Sequence, residues 1–528
     1  MRRPPGLPVL LSVPVTALAV AMLFSFLVTL PGCFTDSDPP EEDSQNDVDI
    51  EGMRPKITAF CSGCHAMPDP TSFPKDAWHH EVEKAYGFFH DSERSDLKAP
   101  PMSEVVRWFR SQAPKSLTLT ASESTPSPIR FRREVIRYDS SPEKGPSISE
   151  VFYQPVATSD ETGRPTVRFC DMRNGLLGSL SRAGNAIQVN SQKLSHVQNP
   201  AHIEATDLDG DRQVDYLISE LGSYLPEDHK LGKVIWYRPD QPADSASQIL
   251  FEGVGRVADV RPADFDGDGD LDLVVAEFGW FKTGGIHILK QTAIKNGVPQ
   301  FESTEVDKRH GTINVPVTDL DGDGDLDFVA LISQEYEEIA AFLNRGDGTF
   351  ERQIINPGSK PSYGSGGIEL TDLDGDNDLD VLYVNGDSLD SNMIKPYHAV
   401  QWLENEGDFP FRFRLIDHVP GACRAIAADM DSDGDLDMVV GAWIPPKNSV
   451  SSADSDGEFD TLMWFEHKAP GSFMRHSIAR AKSLGIMSAD IADLDGDGHP
   501  DIIAGHFGQS STGAESGIEV FWNPGVRD

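Results

Sequence analysis

Short apolar runs rich in β-branched residues recur along the last three quarters of the chain, each directly after an acidic, glycine-rich turn. Leu271–Ala276, Leu326–Leu331 and Leu436–Gly441 are the clearest. Runs this short, bounded by turn signals, predict buried strands. The turn before them has one form, Asp264-Phe-Asp266-Gly-Asp268-Gly-Asp270-Leu-Asp272. It starts again at Asp207, Asp319, Asp372, Asp429 and Asp493, and successive starts are 57, 55, 53, 57 and 64 residues apart. A period of that size, made of strands and turns, predicts a β-propeller with one four-stranded blade per repeat. Residues 129–528 leave room for about seven blades. Six carry the acidic turn. The seventh is expected first, around Ser147–Ser181, where Asp160-Glu-Thr-Gly-Arg-Pro-Thr holds the turn position without the acidic pattern.

Carboxylates at positions 1, 3, 5 and 9 of a glycine-rich turn describe a loop wrapped on a hard cation, and a flexible all-oxygen shell suits Ca²⁺ better than Mg²⁺. The candidate ligands are Asp207, Asp209, Asp211 and Asp215; Asp264, Asp266, Asp268 and Asp272; Asp319, Asp321, Asp323 and Asp327; Asp372, Asp374, Asp376 and Asp380; Asp429, Asp431, Asp433 and Asp437; and Asp493, Asp495, Asp497 and Asp501. About six Ca²⁺ are expected, one per loop. An EF-hand needs a bidentate Glu at position 12 and helices on both sides. Position 12 here is Ile218, Val275, Ala330, Tyr383, Val440 or Ala504, none of which binds a cation. With Phe278-Gly279 and Phe507-Gly508 after the loop, the motifs resemble the FG-GAP/VCBS repeats of integrin-α-type propellers. The resemblance spans roughly three quarters of the chain and implies a fold and calcium binding, not an activity.

The formal charge of −40 includes the 24 loop carboxylates, and six Ca²⁺ would return +12. The remaining acidity and the lack of a basic patch argue against nucleic acid as a partner.

Residues 1–33 read as a targeting segment: Arg2 and Arg3 precede the apolar run Val9–Leu30. Its end, Leu30-Pro31-Gly32-Cys33, resembles a bacterial lipobox, which implies cleavage and lipidation at Cys33. The alternative is an uncleaved membrane anchor. Either reading puts the rest of the chain in the cell envelope, facing the periplasm or the outside. Residues 34–50 are acidic without an apolar period and read as a tether.

Cys61-Ser-Gly-Cys64-His65 has the spacing of a c-type haem attachment sequence, with thioethers from Cys61 and Cys64 and His65 as proximal ligand. A redox Cys-x-x-Cys pair would want a βαβ context, and a zinc site a second Cys pair; Cys170 and Cys423 lie far away in sequence. The surroundings fit a small all-α cytochrome c-like domain over 51–114, with a helix ending near Cys61, a second over Asp76–Phe89 and a third capped by Ser103. Resemblance to class I cytochromes implies Met102 as the distal haem c ligand; His79, His80 and His90 are the alternatives.

Residues 115–128 are rich in Ser, Thr and Pro and read as a linker. Phe131–Tyr138 looks like the strand after each blade's turn, and the last blade lacks its own copy. It is expected to cross over and complete that blade, which removes free edges. Trp236, Trp402, Trp464 and Trp522 end third strands at equivalent positions and read as packing between blades. The connections into those strands vary in length and gather on one face, where a redox partner protein or a polysaccharide would dock. Tyr224, Trp280, Tyr336, Tyr397 and Trp443 lie in or beside them. Glu204, Arg261, Glu369 and Asp490 share one position on the innermost strands, either lining a polar channel or paired or solvated in the central tunnel.

No nucleophile elbow, P-loop, zincin motif or dinucleotide fingerprint is present. The chain thus reads as all-β, a seven-bladed β-propeller with Ca-binding loops over 129–528, preceded by a small all-α haem domain. The expected role is electron transfer by a lipid-anchored, exported protein. The alternatives are a non-redox recognition module and a haem-linked, quinoprotein-like oxidoreductase.

Overall fold

The strands that follow the acidic turns are buried along their whole length, Asp272–Glu277, Asp327–Ile332 and Asp380–Asn385 among them. Side chains on both faces meet a neighbouring sheet, so both parities must be apolar. Outer strands such as Phe350–Asn356 and Arg412–His418 are instead only partly covered, leaving Glu351, Arg352, Ile354, Arg412, Phe413 and Leu415 exposed. The computed structural model describes residues 50–92, 94–119, 124–138, 140, 145–154, 166–184, 186–242, 245–389, 391–445, 457–508 and 517–526. The targeting segment with Cys33, the tether up to residue 49 and the turn at 160–165 lie outside the described residues.

Three helices come first: α1 (Ile50–Cys61), α2 (Trp78–Asp91) and α3 (Met102–Gln112). They share an aromatic core. Trp78 stacks on Phe109 at 4.0 Å, and Phe60 meets Tyr86 and Phe89 at 5.3 and 5.0 Å. The expected cap at Ser103 is not the observed one. Pro101 begins α3, its carbonyl accepting from the N–H groups of Glu104 (2.9 Å) and Val105 (3.3 Å). A proline suits a helix start, where its missing N–H would have had no partner. α2 starts two residues later than the apolar pattern predicted, because Pro74–Ala77 forms a turn.

Antiparallel sheets then follow in chain order in a propeller arrangement: sheet 1 (residues 148–192), sheet 2 (200–254), sheet 3 (257–307), sheet 4 (312–356) and sheet 5 (365–418). A nine-stranded sheet contains the rest. One antiparallel run in it is Ala422–Ala428, Asp437–Ile444, Phe459–Ala469 and Ser472–Ala481; the other is Leu484–Ala492, Asp501–His506, Ile518–Trp522 and Arg132–Ile136. The first strand of each run or sheet touches the first strand of the next, and Leu484–Ala492 touches Ile148–Gln154, so the circuit closes.

Arg132–Ile136 pairs with Ile518–Trp522, the crossover expected for Phe131–Tyr138. The N-terminal strand thereby joins the two ends of the ring, and Thr125–Pro126 adds a parallel edge beside His476 and Ser477. Arg133 Nε donates to Glu519 Oε2 at 2.9 Å across the seam. Burial alone would raise the Glu519 carboxyl, but His506, with Nε2 3.3 Å from Oε2, and the Arg133 guanidinium outweigh it and hold it at about 2.

Register places Trp236 opposite Leu217, Trp402 opposite Leu382 and Trp464 opposite Val439. Trp522 does not share that position: Ile503 faces Val520, and Trp522 stands two residues further on. The three equivalent indoles fill the space between successive sheets; Trp236, fully buried, packs with Val257, Val260 and Leu273 of sheet 3.

Trp236→Ala should cost about 3–5 kcal/mol, read as a fall in the denaturation midpoint. Glu519→Gln should destabilise the protein at neutral pH. Because the folded carboxyl is depressed, this contribution is present above the unfolded value of about 4.3 and is lost as pH falls towards 2. The gap between wild-type and variant melts should therefore close over that window.

Candidate metal loops and haem-attachment site

Each acidic turn is shaped by its own backbone. Positions 4 and 6 take left-handed conformations: Gly267 and Gly269 have φ of 70° and 91°, Gly322 and Gly324 of 73° and 98°. Glycine adopts these at no steric cost, and Asn377 and Arg212 are the tolerated exceptions at position 6. The first aspartate then collects backbone donors. Asp264 accepts from Asp268 N (3.1 Å) and Gly269 N (3.0 Å), and Asp493 from Gly496 N, Asp497 N and Gly498 N at 2.7–3.2 Å. The fifth-position aspartate accepts from the N–H two residues on, as Asp323 does from Asp325 at 2.9 Å.

Position 9 does more than its spacing indicated. Asp327 accepts from Leu320 N (2.9 Å) with one oxygen and from Asn344 N (2.7 Å) with the other, tying the loop to the third strand. Asp380, Asp437 and Asp501 make the same pair of bonds. In two loops the ninth residue also joins the cluster: oxygens of Asp207, Asp209 and Asp215, and of Asp319, Asp321 and Asp327, lie within 4.8 Å of one another. In the loops starting at Asp264, Asp372 and Asp429, positions 1, 3 and 5 do so.

That separation suits donors around a cation bound at 2.3–2.6 Å. Asp207 Oδ1, Asp319 Oδ1, Asp431 Oδ1 and Asp495 Oδ1 are buried without a hydrogen-bond partner, as expected of oxygens kept for a metal. Burial, then repulsion from neighbouring aspartates, raises Asp209, Asp374 and Asp431 above the usual carboxylate range. The donor set therefore fits a hard divalent ion.

The thiol–imidazole motif sits at the end of α1. Cys61 is its last residue and half-buried, Cys64 is exposed, and neither forms a disulfide. Burial pushes the Cys61 thiol up to about 11, the reverse of the activated thiolate that a redox Cys-x-x-Cys pair requires. His65 Nδ1 lies 2.7 Å from the Ala66 carbonyl. A carbonyl only accepts, so Nδ1 carries the proton and Nε2 keeps the lone pair that an iron ligand needs. This donor set fits a c-type haem. Met102 is half-buried at the start of α3; His79, His80 and His90 are exposed on α2.

Successive antiparallel strands send alternate connections to opposite ends of a sheet. The acidic turns therefore lie on one face of the propeller, and the variable connections and the links between sheets lie on the other. The helical segment contacts that second face. Lys395 Nζ donates to the Ser72 carbonyl at 3.2 Å and lies over the Phe73 ring, Lys360 Nζ meets Asp69 at 2.7 Å, and Phe88 packs on Phe281 at 4.0 Å. Burial pulls the Lys395 ammonium down to about 7. Burial alone would raise the Glu335 carboxyl, but the hydrogen bond with His310 outweighs it and holds the group below its usual range.

The aromatic residues of the connections divide accordingly. Tyr336 lies against His310 and beneath Arg309, and Tyr397 beneath Lys360. Trp443 is fully buried, with Nε1 donating to the Phe507 carbonyl at 2.8 Å, and is core rather than a surface for stacking. On the innermost strands the charges are paired. Arg261 Nε donates to Asp259 Oδ1 at 3.0 Å and its guanidinium bonds Glu204, Arg424 lies 3.4 Å from Glu369, and Asp490 accepts from Tyr153 N at 2.6 Å. Spacing within single repeats carried no signal for His202, which sits between Glu150, Glu204 and Asp259 at 3.4–3.5 Å.

A family model of the FG-GAP-like repeat matches residues 207–275 and 319–383. These are FG-GAP-like repeats. Both matched stretches start on the first aspartate of an acidic turn. No curated protein matches the chain.

Removing the cation with a chelator should lower the melting temperature by several degrees, since a site held at 100 times its dissociation constant contributes about 2.7 kcal/mol. An unchanged melt would mean that the loops are not metal sites.

Proposed function

We propose that the chain is an exported, lipid-anchored electron-transfer protein, in which a covalent c-type haem on the helical domain rides on a calcium-stiffened propeller. The FG-GAP-like propeller is a recognition- or adhesion-type fold. The observation that carries the redox reading is the state of Cys61, Cys64 and His65: two free thiols at the end of a helix, beside an imidazole whose Nδ1 is committed and whose Nε2 is not.

A haem bound there supplies one-electron chemistry at its iron. Cys61 and Cys64 would hold it covalently, and His65, together with Met102 or one of His79, His80 and His90, would supply the side chains that ligate its iron. Lys395, Lys360 and Phe281 fix the helical domain on the propeller's connection face, leaving the rest of that face to a redox partner protein or a polysaccharide. We count seven blades. In support, the nine-stranded sheet comprises two four-stranded runs plus the Thr125–Pro126 edge, and among the described residues the runs pair through Trp443 with Gly485 and Ile444 with Leu484. Calcium in the six acidic turns contributes folding energy rather than catalysis.

The test is an absorption spectrum of the full chain made in a host that matures c-type cytochromes. A Soret band that resists acid–acetone extraction, and is lost in the Cys61→Ala/Cys64→Ala double variant, is expected. A colourless preparation would leave a recognition module without redox function.

A further inference from the structure

We propose that the cleft between sheets 1 and 2 binds a six-membered sugar ring carrying a carboxylate, a uronate, with Arg168 as the carboxylate clamp. The proposal does not depend on the haem. It rests first on register. In the six sheets or runs with an acidic turn, the third residue of the strand after the turn is aliphatic: Leu217, Val274, Val329, Leu382, Val439 and Ile503. It faces the next sheet. Thr166, which pairs with Gln154, takes the place of the ninth-position aspartate in sheet 1, so Arg168 takes the aliphatic place.

The residue paired with that position is Trp236, Trp402 or Trp464 in three of the others, but Ser179 in sheet 1. An indole is thereby replaced by a hydroxyl, and a cleft of about 180 Å³ opens. A 150 Å³ cavity accommodates benzene, so this one is sized for a single substituted ring.

The guanidinium is held rather than loose. It lies 4.7 Å over the ring of Tyr216, a fully buried residue, and its Nε donates to Gln154 Oε1 at 3.4 Å. Gln154 Oε1 also accepts from the Tyr216 hydroxyl at 2.7 Å. An arginine fixed in this way presents a planar fork suited to a carboxylate. Ser179, Asn190 and Gln192 line the opening and supply donors and acceptors for hydroxyl groups, while Tyr237 supplies an apolar wall. A charged residue where every other sheet buries an aliphatic one costs stability unless it has a task or strong partners. The open volume beside it is the task's footprint.

Isothermal titration of the full chain, calcium present, with galacturonate and with galactose tests this. Galacturonate should saturate, and galactose should bind at least about tenfold more weakly, the loss expected for one charge-assisted pair. Ser179→Trp, which installs the indole found in three of the other sheets, and Arg168→Leu, which restores the aliphatic residue of all six, should each abolish binding while the melting temperature stays within a few degrees. Absence of saturation, equal binding of galactose, or wild-type affinity in folded Ser179→Trp would overturn the proposal. Should Ser179→Trp fail to fold, Arg168→Leu decides between the same outcomes, and wild-type affinity in that variant overturns the proposal equally.

Discussion

Crowded carboxylates are the constraint from which the rest of the structure follows. Three aspartate oxygens within 4.8 Å of one another, repeated from loop to loop, repel by about 3.5 kcal/mol or more per ionised pair at an effective dielectric constant near 20. Backbone N–H groups gathered by the first and fifth aspartates offset part of this. On the reading proposed above, a divalent cation would offset the remainder and make each loop a staple between an innermost strand and the buried strand after it. The ninth aspartate ties the loop to the third strand, so that one such ion would brace three of the four strands in a blade.

Propagated round the ring, this local device explains the packing. Strands held at one end by a staple can be apolar on both faces and still keep their register, and the indoles of Trp236, Trp402 and Trp464 then fill the gaps between sheets. Sheet 1, whose strand after the turn opens on Thr166 in place of an aspartate, also has Arg168 for the aliphatic residue and Ser179 for the indole. Its neighbours on both sides carry the staples. A sheet that has neither the acidic turn nor the indole has room for a polar cleft.

Much of this was legible in the sequence, because repeated local chemistry is written in repeated residues. The acidic turns, the strands after them and the crossover of Arg132–Ile136 follow from spacing and alternation. What was not legible depends on three-dimensional neighbours. Nothing in Trp443 itself shows that Phe507 covers it, and Trp522 differs from the other tryptophans by a register of two that only strand pairing reveals. Likewise, single repeats do not show that Lys360 and Lys395 would receive the helical segment, or that position 9 would bond two backbone amides. The Cys61–His65 motif was legible in residue type, but the committed Nδ1 of His65 needed coordinates.

Two inorganic elements meet in one chain on this view, calcium in the turns and iron on the helices. Elemental analysis of the purified full-length protein, made in a host competent for c-type maturation and dialysed against trace calcium, measures both at once. About six calcium ions and one iron per chain are expected. A chain that folds with neither metal would contradict it.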